Sequence, residues 1–232
     1  MVDFVERARE KNVLRWGGLA GILAFIVWIV EMPLYVFVDP FIPEGLMRFP
    51  DVRVALAMST ILCMAAAFLS VAFVLVLYRA LRGTGQALAL FGSVLGVIGY
   101  VGIALGDAST FFAFAPLSDL YHAPAATPEA QATVVLLWQA TQGITYTFAF
   151  IGSLFLMIGF IALGVAMIGA PAFGRRFGGV SIVLGVVGGV AVVVSLFVFE
   201  AIGFMFLADL IFLSLFGWKV YRLSRGPRSP IT

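Results

Sequence analysis

Four carboxylic acids, Glu31, Asp107, Glu200 and Asp209, fall inside or at the ends of long apolar runs. An ionised carboxylate at the centre of a bilayer costs at least about 2.5–3.5 kcal/mol, so acids placed there must be protonated, hydrated, capped by amides and hydroxyls, or bound to a cation. No Lys or Arg occurs between Arg15 and Arg48, Arg53 and Arg79, Arg82 and Arg175, or Arg176 and Lys219. The acids therefore have no basic partner within their own runs. Gln139, Gln142, Tyr146 and Ser153 form a polar stripe at spacings of three, four and seven, and His122 stands in a polar stretch with Asp119 and Tyr121. Oxygen donors of this kind suit a hard cation, and a histidine above them suits a proton acceptor or metal ligand.

The rest of the chain says where these residues must lie. Of 232 residues, 62% are hydrophobic and 11% charged, against about 45–50% and about 25% in soluble domains. That composition excludes a soluble globular protein and predicts an all-α, polytopic membrane protein with no soluble domain. One cysteine, Cys63, excludes an intrachain disulfide and any Cys-based zinc cluster, and one histidine excludes sites that need several imidazoles. The net charge of +2 comes from short basic clusters beside apolar runs, a pattern of membrane topology rather than nucleic-acid binding.

Six spans are expected at about 16–38, 54–77, 86–107, 144–168, 179–199 and 201–221. They follow an amphipathic segment over 1–15 and precede a basic tail over 222–232, with an outer-side loop and helix extension over 108–143. Thr127-Pro128-Glu129 reads as a helix start, with an N-cap residue followed by Pro at the first helical position. A helix from Pro128 to Ile168 would be about 60 Å long, twice the bilayer core, so it either projects or breaks near Gly143 or Gly152. The last two runs, parted by Glu200 alone, read as a hairpin near Glu200 to Gly203. Pro33 removes a backbone donor and is expected to kink the first span.

Alternate loops can be compared for basic residues. Twelve Lys and Arg fall on one side and only Arg48 and Arg53 on the other, which places both termini in the cytoplasm of a multi-pass cell-membrane protein. On that orientation every acid in the spans lies in the outer half.

Arg15-Trp16-Gly17-Gly18 opens the first span and Arg176-Phe177-Gly178-Gly179 the fifth, with Leu77-Tyr78-Arg79 and a terminal Trp218-Lys219-Val220-Tyr221-Arg222. In this layout the chain resembles the bacterial domain-of-unknown-function 4386 family of six-helix membrane proteins over most of its length. The resemblance implies a fold and carries no activity or catalytic residues.

In lipid, helices associate through small residues, so glycines report the inward faces. At 100° per residue Gly92, Gly96, Gly99 and Gly106 share one face, as do Gly17, Ala20 and Ala24, and Gly178, Gly185 and Gly189. Glu31, Asp107 and Glu200 project near these faces, and Asp209 lies about two turns into the last span. The expected function is an outward-facing acidic cavity between helices that binds or passes a cation, a proton-coupled small solute or a lipid-like ligand. The alternative is a non-catalytic scaffold or accessory subunit whose partner is another membrane protein. No nucleophile elbow, metal-binding His pair or phosphate loop points to an enzyme.

Overall fold

The computed structural model describes residues 2–38, 43–83 and 85–225. Their regular structure is helical throughout: α1 (Val2–Val38), α2 (Pro43–Leu81), α3 (Gln86–Tyr121), α4 (Pro128–Ile168), α5 (Gly174–Val194) and α6 (Ile202–Arg225), with a short 3-10 turn at Phe199–Ala201 before α6. All six helices are long and apolar enough to cross a membrane. The chain is a multi-pass, all-α membrane protein.

Several expected boundaries move. The amphipathic segment over 1–15 is, from Val2 onward, continuous with the first span. The helix also continues through Pro33 to Val38. α2 begins well before residue 54, and α3 runs through Pro116 to Tyr121, so the expected loop shrinks to 122–127. α4 is a single helix of 41 residues that passes both Gly143 and Gly152 without a break. Its start is as expected: Thr127 Oγ1 accepts from Ala130 N at 3.3 Å, with Pro128 in the first turn. α5 starts and ends five residues earlier than 179–199, and at its start Gly174, at φ +73°, turns the chain into the helix in a conformation that L side chains rarely adopt. The hairpin before α6 therefore spans 195–201, and the basic end stays helical to Arg225; residues 226–232 of the expected tail lie outside the described residues.

The helices close into a ring in chain order, with α1 packed between α2 and α6 and the most extensive pairing between α3 and α4. Glycine makes that pairing possible. A side chain at Gly92 would meet the Gly159 carbonyl and Leu163, one at Gly99 would meet Leu156 and the Gly152 carbonyl, and one at Gly106 would meet Thr145 and Ala149. α5 joins through Gly178 against Gly164 and Gly185 against Ile161. Large apolar side chains such as Phe68, Val183, Val190 and Phe204 stay exposed on the outside of the ring, where hydrocarbon is their natural solvent.

Inside, the two ends differ. Toward the Arg-rich end the ring is plugged by Phe73 of α2, Phe160 of α4, and Phe212 and Phe216 of α6, all fully buried. Phe160 and Phe212 stack with centroids 3.7 Å apart, and Phe73 meets Phe212 edge-on at 6.2 Å. At the opposite end α2, α3 and α4 outrun α5 and α6. Their extensions share a second small core of Leu46, Phe49, Leu56, Phe114, Val134 and Trp138. The polar residues of interest lie between plug and extension.

Candidate acid site in the bundle

Glu31 comes from α1, on the face that already carries Ala20, Ala24 and Trp28 into the core. It is 6% exposed, and its Oε1 accepts a hydrogen bond from Ser59 of α2 at 2.6 Å. Asp107 of α3 is near enough to act on Glu31 as a like charge. Thr60 and Cys63 of α2 stand beside the Asp107 carboxyl. Thr60 Oγ1 and Asp107 Oδ2 are both buried with no partner. Three helices thus bring two carboxyls, two hydroxyls and a thiol together with no Lys or Arg in the adjoining runs.

Asp209 does not join them. It is 4% exposed and accepts a hydrogen bond from Tyr100 of α3 at 2.6 Å, with Ser70 of α2 also near that hydroxyl. Tyr100 precedes Asp107 by seven residues, about 10 Å along the helix. There are therefore two acid centres at different depths, where one shared chamber was expected. The helices close over Glu31 and Asp209, while Asp107 is half-buried. On α2 the residues Ser59, Cys63, Ala66, Ala67 and Ser70 are all buried, and this narrow face runs from one centre to the other.

The stripe on α4 divides. Gln142 is 5% exposed, and neither of its amide atoms has a partner. Gly106 lies against Thr145 and Phe114 against Trp138 at 5.9 Å, so Gln142 enters the bundle between those levels, about a turn from Asp107. Gln139 and Tyr146 are exposed instead: their positions straddle the edge of the packed face, and the close α3–α4 contact leaves room for only a narrow strip. Ser153 stays inside.

Glu200 and His122 lie away from both centres. Because α5 ends at Val194, Glu200 sits exposed in the 3-10 turn rather than at an inward helix end. His122 is exposed at the C-cap of α3, where its Nδ1 lies 2.9 Å from the Ser118 carbonyl. It is fifteen residues beyond Asp107, about 22 Å, and serves the helix terminus.

Ser59, Thr60, Cys63, Ser70 and Tyr100 were not among the expected site residues. Their signal in the sequence is a run of small polar side chains three and four apart on α2, with a tyrosine beside the glycine face of α3. Among the described residues no three His, Cys, Asp or Glu are placed to hold a metal ion. No family model, characterised protein or solved structure matches the chain.

Proposed function

We propose that the chain is a membrane carrier or receptor whose Glu31–Asp107 centre takes up a singly charged cation in exchange for a proton, from the side opposite the Arg-rich end. The observation that carries this reading is the pairing of two acids on separate helices, inside an apolar bundle, beside unpartnered Thr60 Oγ1 and Asp107 Oδ2. A buried polar group without a partner costs about 1–3 kcal/mol, and more if charged. A bound proton or cation offsets that cost. Gln142, unpartnered on α4, adds a carbonyl donor about a turn away. The phenylalanine plug blocks the other direction, which favours uptake and release on one face over a continuous pore. A small or lipid-like solute moving with the proton would occupy the same level.

The test is proton release on cation binding. Purified protein in weakly buffered detergent is mixed with sodium or potassium chloride, with choline chloride as the control. The expected result is release of about one proton per chain by sodium or potassium, lost in Glu31→Gln/Asp107→Asn. Equal release by choline, or by the double variant, would leave the helices as a scaffold.

A further inference from the structure

A separate feature lies at the Arg-rich end. A groove of about 650 Å³ runs between α1 and α2. Its walls are made by Gly17, Ala20, Ala72 and Val76, while Arg9 and Asn12 stand at its mouth. The groove exists because the side chains there are small: Gly17 packs directly on Val76, and Ala20 and Ala72 flank that contact one turn deeper. Trp16, also on the groove, is 70% exposed, as befits an indole at the membrane–water boundary. On α2, Arg79 lies three residues past Val76, and its Nε is buried without a partner. The apolar floor thus leads up to Arg9 at the mouth.

We infer that this groove binds one anionic phospholipid of the adjacent leaflet, its acyl chain along Gly17, Ala20, Ala72 and Val76 and its phosphate against Arg9 and Asn12. The chemistry is that of an amphiphile. An alkyl chain fills the part with no polar atoms to satisfy, and a headgroup that accepts hydrogen bonds and carries net negative charge meets Arg9, the charged side chain among the described residues of the lining. A water-soluble anion would gain nothing from the apolar length of the groove. This inference is independent of the acid centres, which lie beyond the phenylalanine plug.

The experiment reconstitutes the full chain in vesicles of equal phosphatidylglycerol and phosphatidylethanolamine, extracts it gently, and measures retained lipid by native mass spectrometry. Wild type is expected to keep one phosphatidylglycerol, enriched about fivefold over phosphatidylethanolamine, the factor that one basic side chain near an anionic headgroup supplies. Arg9→Gln should keep a lipid but lose the preference, Arg9→Lys should restore most of it, and Ala72→Phe should fill the groove and release the lipid. Thermal unfolding of each variant checks that it is folded. Retention in the vesicle proportion by wild type, or an unchanged preference in both folded Arg9→Gln and folded Ala72→Phe, would overturn the inference.

Discussion

Tyr100 donates its phenolic hydrogen to Asp209 across 2.6 Å, joining α3 to α6, which are not neighbours in the ring, at a point where both side chains are sealed from solvent. The bond acts as a cross-brace just above the phenylalanine plug. Removing the hydroxyl leaves the carboxyl buried without its donor, an asymmetry that makes single truncations costlier than removal of both partners. Tyr100→Phe should therefore destabilise the protein by about 1–3 kcal/mol. Tyr100→Phe with Asp209→Leu should recover part of that loss. Unfolding midpoints in one detergent check both; a single variant as stable as wild type would show that the bond contributes nothing.

The glycines give an internal contrast. A methyl at Gly152 would lie 2.8 Å from the Gly99 carbonyl and 3.0 Å from Ile103 N, both backbone atoms, whereas one at Gly143 would meet nothing within 4 Å. Gly152→Ala should thus force α3 and α4 apart and lower stability. Gly143→Ala, which only exchanges a flexible residue for a good helix former, should raise it by about 0.5–1 kcal/mol. Thermal melts of the pair suffice, and a loss at position 143 as large as that at 152 would count against the interface.

Trp138 is 3% exposed in the small core shared by α2, α3 and α4, and Trp218 is 52% exposed. Trp138→Ala should cost about 3–5 kcal/mol, as large core truncations do. Trp218→Ala should cost far less. The ratio reports whether the extensions beyond α5 and α6 are a packed part of the fold, and limited proteolysis near residue 125 should accelerate in the first variant alone.

Six spans were legible in the sequence because hydrocarbon demands about 20 apolar residues per crossing and little else produces such runs. The helix ends were not. The extensions of α2, α3 and α4 bury their own apolar residues, such as Phe49, Phe114 and Trp138, so hydropathy does not separate membrane from projecting core. Pro50 and Pro116 lie inside helices where they would ordinarily mark an end. Of the acids, Glu31 and Asp209 were legible as buried because each follows from the cost of ionisation in lipid. Their partners were not, since helical periodicity gives the face of a residue and leaves open which neighbouring helix meets it. Glu200 shows the converse: a five-residue shift of α5 carries it from an inward face into an exposed turn.

The basic-residue count predicts that both termini face the cytoplasm, which is open to a direct check. In a Cys63→Ser background, His122→Cys at the end of α3 and Arg225→Cys at the end of α6 stand at opposite ends of the bundle. A membrane-impermeant thiol reagent applied to intact cells should label the first and leave the second until the membrane is opened. Labelling of both from outside would contradict the orientation.

The central claim is that Glu31 and Asp107 form one exchangeable site, and infrared difference spectroscopy of the carboxyl groups tests it most directly. Replacing choline with sodium over a film of the reconstituted wild-type protein should convert a protonated carboxylic-acid band into a carboxylate band. Glu31→Gln and Asp107→Asn should each remove or shift that conversion, because the proposed site uses both carboxyls. A wild-type spectrum that does not respond to the cation, or a response that persists unchanged in both variants, would contradict the account.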